Sequence, residues 1–500
     1  IVERERAIRA FTPVTYFTVE ADIEARDGER AIFALPKTRL EKINGKPIGK
    51  PGILSDTDAD AIVADLKNDA KLSWKDIERR DVRRSSAPPF TTSAMQQEAA
   101  RRLGFSAAFT MRVAQSLYEE GYITYMRTDS VNLSQESLAA ARAWIEKQLG
   151  SRYAAEAPRV FRTKSRLAQE AHEAIRPTNP SLSPETVPAD QNGKRLYELI
   201  WQRFMASQLP HAIFEATRLD IEARGTSGAA YTLRATGTRL VFDGFLRLYP
   251  TQFEENELPR VLGTEAIALV DARSLRHETQ PLPRFNDASL IKALEENGIG
   301  RPSTYAPTIA VLEERRYTTR EQDRRFHPTE IGEMVTDLLT EHFPEIADIQ
   351  FTAALEEKLD RIADGKDAWN EVIRNFYLPF EKRLTEKYEE VTKRATSEKT
   401  DEACEKCGKP MLIRLGRFGR FMACSGFPEC KNTKPLPSGE DEANGAENGS
   451  GAIPCPQCGE GQVTRKRTKR GRFFYGCTRY PECDFASWKK VEPAHAPPRE

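Results

Sequence analysis

A tyrosine hydroxyl can attack phosphorus, and an arginine close behind it can hold the phosphate under attack. Both stand in the decapeptide GYITYMRTDS, Gly121 to Ser130. A free tyrosine, with a pKa of ~10, is a weak nucleophile that needs help from neighbouring groups or a metal. Arg127 offers a planar, bidentate grip on phosphate oxygens. The plainer reading makes Tyr122 and Tyr125 half-buried strand aromatics and Arg127 a solvated charge. The eight cysteines supply a second chemistry. They form two sets, Cys404, Cys407, Cys424, Cys430 and Cys455, Cys458, Cys477, Cys483, each a CxxC pair, a gap of 16 or 18 residues, then C-x5-C. Paired thiolates on tight turns complete a tetrahedral S4 site of the kind Zn2+ favours. Disulfides are the alternative, but no cysteine falls outside the sets, and four ligands leave no open position for catalysis. Two structural zinc ribbons are therefore expected.

Other elements must hold these groups in place. Phe109, Val113 and Leu117 recur at helical spacing and Gly121 stands where a left-handed helix end belongs, which puts Tyr125 just past a helix, on a short strand or its exit. Ser93 and Gln96 form a possible capping box for a helix that stops at Gly104, and Ser134 caps another that ends at Gly150. Residues 15–35 alternate around Asp27-Gly28 as a hairpin does, and residues 214–282 alternate again. The run Ser55-Asp56-Thr57-Asp58-Ala59-Asp60 looks superficially like a metal-binding triad, but Ile62, Val63 and Leu66 follow at helical spacing, so it reads as a helix start. Helical patterns return from Ala288 to about residue 395, and a Gly, Ser, Asn and acid-rich connector at 435–451 reads as a linker.

The fold class expected is multidomain α+β. A β domain (15–85 and 212–283) carries an inserted helical domain with the tyrosine (86–211), followed by a further helical domain (284–398) and two four-cysteine ribbons (399–434 and 452–490). Residues 1–14 begin inside a charged helix without Met and read as the remnant of an upstream domain. The chain has 500 residues, with 75 Lys and Arg balancing 75 Asp and Glu, so net charge says nothing about nucleic acid and only local patches can. Such patches lie between the cysteines: Arg414, Arg417, Phe418, Arg420 and Phe421, then Arg465, Lys466, Arg467, Lys469, Arg470 and Arg472 with Phe473, Phe474 and Tyr475. Cations beside aromatics suit a single strand, whose phosphates meet charge and whose bases meet rings. The plainer alternative is that the rings pack each ribbon and the charges solubilise it. No run of ~18 apolar residues is present, so no membrane partner is expected and the chain is read as cytoplasmic.

Four stretches carry a resemblance: PPFTTSAMQQEA (88–99), GYITYMRTDS (121–130), QEAHEAIRP (169–177) and GIGRPSTYA (298–306). With the cysteine modules they resemble, in order and over nearly the whole chain, the bacterial type IA DNA topoisomerases. The resemblance implies that Tyr125 cleaves one DNA strand and keeps the 5' phosphate, with Arg127 orienting it and Asp129 and Ser130 in support. It places His172, Arg176, Arg301, Ser303 and Thr304 against DNA. Helical spacing would set Arg176 one turn from His172. The implied partners are single-stranded DNA and negatively supercoiled duplex, acted on by a nucleoid-associated monomer. No nucleotide is implied, and no GxxxxGK[ST] loop is present. The family also has an N-terminal TOPRIM domain that holds Mg2+. Nothing resembling it precedes Ile1, so this chain is expected to bind DNA without relaxing it. The alternatives are a single-strand-binding zinc-ribbon protein without catalysis and the topoisomerase III branch of the same family.

Overall fold

The computed structural model describes residues 1–27, 30–161, 172–394, 398–416, 419–435, 453–467 and 473–488. They fall into two compact units, Ile1–Arg383 and Leu384–Glu500.

In the first unit, helix α1 (Val2–Arg9) precedes strands β1 (Thr15–Asp27), β2 (Arg30–Ile43) and β3 (Lys46–Pro47), helix α2 (Asp56–Lys67) and strand β4 (Lys71–Arg84). Four helices follow, α3 (Thr92–Glu98), α4 (Ala107–Glu119), α5 (Gln135–Leu149) and α6 (Gln191–Ser207), and then strands β5 (Ala212–Arg224), β6 (Ala230–Phe242) and β7 (Ala266–Glu278). All seven strands make one antiparallel sheet of order β4-β5-β6-β2-β1-β7, with β3 on β2. Asp27 pairs with Arg30, so the first hairpin forms, although its turn at 28–29 lies outside the described residues. Strands β4 and β5 pair from Lys71↔Arg224 to Arg84↔Ala212. The chain thus leaves the sheet at Arg84 and returns to it at Ala212. The sheet curls, bringing its edges together where Trp74 Nε1 donates to the Glu265 carbonyl at 3.0 Å.

Alternation buries one face of this sheet. Val19, Ala21, Ile23, Leu35, Leu219, Ile221 and Leu233 form a core with Ala59, Ile62 and Leu66 of α2. Ser55 caps α2, its side chain accepting from the Asp58 amide, and the first-turn acids complement the helix dipole. The acidic run is therefore a helix start.

The described helices between β4 and β5 share a second core, where Val113 and Leu117 of α4 meet Leu196, Tyr197, Ile200 and Phe204 of α6. Each large buried side chain contributes roughly 1.5–3 kcal/mol. Ser134 caps α5, and Gly121 and Gly150 take positive φ past α4 and α5. Two sequence expectations change. The cap of α3 is Thr91, which accepts from Ala94, because Ser93 donates instead to Glu295 at 2.6 Å. Helix α3 then widens into a π turn at Ala99–Leu103, and Gly104 at φ +70° ends it as expected.

Beyond the sheet run α7 (Asp287–Glu296), α8 (Tyr305–Glu314), β8 (Thr318–Arg320), β9 (Phe326–Pro328), α9 (Glu330–His342), α10 (Pro344–Ala347), α11 (Ile349–Ala363) and α12 (Trp369–Arg394). Leu290, Ile291, Tyr305, Ile309 and Phe326 bury against Ala107 of α4. Helix α1 is tied to this part through Glu5, which accepts from Arg284 at 2.5 and 2.8 Å.

The second unit holds two small antiparallel sheets: β10 (Glu398–Ala403), β11 (Pro410–Gly416), β12 (Gly419–Cys424) and β13 (Thr433–Pro435), then β14 (Val463–Arg467), β15 (Phe473–Cys477) and β16 (Ala486–Ser487). The linker expected at 435–451 lies outside the described residues but for Pro435. No described helix is long and apolar enough to cross a membrane.

Candidate active site and zinc ribbons

The decapeptide runs extended past Gly121, and its side chains alternate between core and solvent. Ile123 and Met126 are buried in the helical core, each 1% exposed. Thr128 is also buried, its amide donating to Thr92 Oγ1 at 2.9 Å while the Thr92 hydroxyl lies 2.7 Å from the Met126 carbonyl. The Thr92 amide donates to the Thr128 carbonyl at 2.8 Å. Anchored on either side, the chain sends Tyr125 and Arg127 outward together, and the tyrosine is 44% exposed. The Tyr118 ring, from the last turn of α4, packs edge-on to Tyr125 with centroids 5.2 Å apart. Asp129 is half-buried. Ser130 is fully buried and accepts from the Asn132 amide at 3.1 Å, so it shapes the turn from inside.

Two of the other motif stretches brace this segment. Phe90 pairs with Ile175, and Ile123 with Pro177. Thr124 donates its amide to the Arg176 carbonyl at 2.9 Å, and Ala174 donates to Asn132. Residues 172–177 are therefore extended and lie between both neighbours, which corrects the helical turn expected for His172 and Arg176; tertiary hydrogen bonds claim the backbone groups that a helix would pair. His172 is partly exposed, whereas Arg176 is turned inward to Glu173 at 2.7 Å and the Pro177 carbonyl at 3.0 Å. Gln169 to Ala171 of that motif lie outside the described residues.

The fourth stretch faces the first two across a cavity of about 930 Å3. Thr91, Thr128 and Asp129 line one side, and Glu295, Arg301 and Tyr305 the other. Tyr125 and Arg127 are not in its lining. Arg301 pairs with Asp360 and, at 3.3 Å, with Glu356, both on α11. Ser303 and Thr304 are exposed ahead of α8, where Thr304 Oγ1 accepts from the Arg301 amide at 2.8 Å. Burial pushes the Tyr305 hydroxyl up to about 12. Glu295 spans the two parts of the unit, accepting from Ser93 at 2.6 Å and Gln97 Nε2 at 3.1 Å. Glu295, Thr92 and Tyr118 were not singled out from the sequence. Thr92 lies within the first motif and Tyr118 just ahead of the second, but Glu295 carries no local signal.

Each cysteine set converges, its ligand atoms lying within 4.8 Å of one another. Sγ separations are 3.7 Å for Cys404–Cys430 and 3.2 Å for Cys407–Cys424, and 3.7 Å for both Cys455–Cys483 and Cys458–Cys477. A tetrahedron with Zn–S bonds of ~2.3 Å has edges of about 3.8 Å, far from the ~2 Å of a disulfide. The two sets fit two structural Zn2+ sites. Among the described residues these are the only groups of three or more His, Cys, Asp or Glu gathered closely enough to hold a metal ion. The backbone of both ribbons is largely described, although Arg417, Phe418, Lys469, Arg470 and Arg472 of the basic runs are not.

Residues 1–374 match the DNA topoisomerase family, and residues 401–439 and 452–492 match the topoisomerase DNA-binding C4 zinc finger. The chain belongs to the type IA DNA topoisomerases. Full-length topoisomerase I from Thermotoga maritima superposes with a TM-score of 0.65 and 31% identity, over 87% of this chain and 68% of that one. The braced decapeptide lies within the stretch that matches the topoisomerase family, and the C-terminal modules match its DNA-binding C4 zinc finger.

Proposed function

We propose that the topoisomerase cleaves and reseals a single DNA strand through Tyr125. The observation that carries this reading is the shared outward face of Tyr125 and Arg127 on a segment whose Met126 and Thr128 are locked into the core. The Tyr125 oxygen attacks phosphorus, forms a phosphotyrosine that keeps the 5' phosphate, and displaces the 3' oxygen. The proton lost by the tyrosine is balanced by the one that the 3' hydroxyl gains. Arg127 orients the phosphate and offsets charge that builds on its oxygens in the transition state. One ester replaces another, so the bond energy is kept and resealing needs no ATP. Passing a strand through the break relaxes negative supercoils.

His172, partly exposed beside the braced segment, and Ser303 and Thr304, exposed ahead of α8, are assigned to phosphate contacts. Arg176 and Arg301 act through their carboxylate partners, as supports of the segments that carry them. The ribbons bind single-stranded DNA. The family's Mg2+ would add charge stabilisation at the phosphate. The described residues gather no carboxylate cluster to hold it.

The test is covalent trapping. In the protein as it occurs in the cell, with Mg2+ supplied, a labelled oligonucleotide should become covalently linked to the protein and the adduct be lost in Tyr125→Phe, while binding of single-stranded DNA stays within a few-fold. An adduct that persists in Tyr125→Phe rules out this nucleophile.

A further inference from the structure

The two zinc ribbons share one backbone frame. In the first, the Cys404 amide donates to the Lys409 carbonyl and the Gly408 amide to Cys404, each at 2.8 Å. In the second, Cys455 donates to Gly461 at 2.7 Å and Gly459 to Cys455 at 2.8 Å. The residue two past the last cysteine closes each frame. The Asn432 carbonyl accepts from the Cys424 amide at 3.0 Å, and the Phe485 carbonyl from the Cys477 amide at 3.1 Å. Asn432 and Phe485 therefore occupy equivalent positions.

Their side chains do different things. Asn432 Nδ2 donates to Cys404 Sγ at 3.3 Å, and Cys404 is 2% exposed. The opposite amide orientation would turn an oxygen towards the thiolate, so only the N–H orientation is favourable. Phe485 packs its ring against the second cysteine cluster instead, and among the described residues no side-chain amide reaches Cys455. Other thiolates are served by backbone amides in both ribbons: Gly426 to Cys424 and Gly461 to Cys458 at 3.3 Å, and Arg479 to Cys477 at 3.4 Å. Among the described residues, the Asn432 contact is thus an addition peculiar to the first ribbon.

We propose that Asn432 is a positioning residue for the first zinc site, and that its side-chain hydrogen bond makes the two ribbons hold zinc unequally. An N–H···S bond draws electron density from the thiolate and fixes its lone pairs, so the sulfur is a poorer target for electrophiles and leaves the metal less readily. Burial alone argues the other way, since Cys407 is exposed while Cys458 is only partly so. The decisive comparison therefore lies within the first ribbon.

Zinc release from the whole chain to a chromophoric chelator should show two phases, assigned with Cys455→Ser, which removes the second site. Asn432→Leu, close in size but without the donor, should speed the first-ribbon phase by about 10- to 100-fold and leave the other unchanged. With Co2+ as the probe metal, Asn432→Leu should also shift the sulfur-to-cobalt charge-transfer band while the tetrahedral visible bands persist, an effect that side-chain volume does not produce. A release phase and a charge-transfer band both unmoved in Asn432→Leu overturn the proposal. If Asn432→Leu binds one zinc equivalent, Asn432→Ser, smaller but still a donor, decides the matter. Two equivalents in that variant support the hydrogen bond, and one equivalent shows that volume alone matters and overturns it.

Discussion

Thr92→Val tests whether the active segment owes its geometry to one buried hydroxyl. Valine nearly matches threonine in shape, so packing is kept while the Thr92 hydroxyl is removed from between the Met126 carbonyl at 2.7 Å and the Thr128 amide at 2.9 Å. Thr92 is 0% exposed, so water cannot replace what is lost without opening the site. A buried amide left without a partner costs about 1–3 kcal/mol, and the lost bond to the Met126 carbonyl about 1 kcal/mol more. The remaining tie, Thr92 amide to Thr128 carbonyl at 2.8 Å, keeps the chain threaded but no longer pins the residues beside Tyr125. A loss of about 2–4 kcal/mol in the local opening equilibrium corresponds to roughly 30- to 1,000-fold faster hydrogen exchange at the Thr128 amide. Exchange by mass spectrometry reads this directly, and oligonucleotide cleavage should fall while binding of single-stranded DNA changes little. Unaltered protection of residues 126–128 with normal cleavage would refute the clamp.

Arg127→Lys keeps the charge but loses the planar fork, so cleavage should fall by at least tenfold; cleavage equal to the parent's makes Arg127 a bystander. Elemental analysis should find two zinc ions per chain, one for each thiolate set, and chelation should unfold the ribbons while residues 1–383 melt as before. Finding no zinc with all thiols titratable would contradict this. Arg234, bidentate at 2.7 and 2.8 Å, holds the buried Asp220 carboxyl below its usual range. A depressed folded-state value means that the pair stabilises at pH above the unfolded-state value and that this stability is lost as pH falls through the folded one. Asp220→Asn should therefore cost about 1–3 kcal/mol at pH 7, with the gap closing below about pH 4. A gap that is the same in acid would show that the loss is one of packing.

What the sequence by itself determined is what is short in range. Cysteine spacing encloses two tetrahedral sites because a CxxC turn brings its sulfurs together within one loop. Ser134 and Gly150 mark the ends of α5 because caps satisfy backbone groups only a few residues away. The alternation of residues 15–35 reads as strand because side chains of an extended chain swap faces at each residue. The tertiary structure decided the rest. Nothing local tells Lys71–Arg84 to pair with Ala212–Arg224, and their register depends on cores that form only when distant segments meet. Residues 172–177 could read as helix until Phe90, Thr124 and Asn132 claimed their backbone groups. Arg176 and Arg301 look like free cations in one dimension, yet Glu173, Glu356 and Asp360 pair with them. Tyr125 and Arg127 follow the same logic. Their types and spacing are written in the sequence, but their shared outward face exists because Met126 and Thr128 are captured by a core and a hydroxyl that lie elsewhere in the chain.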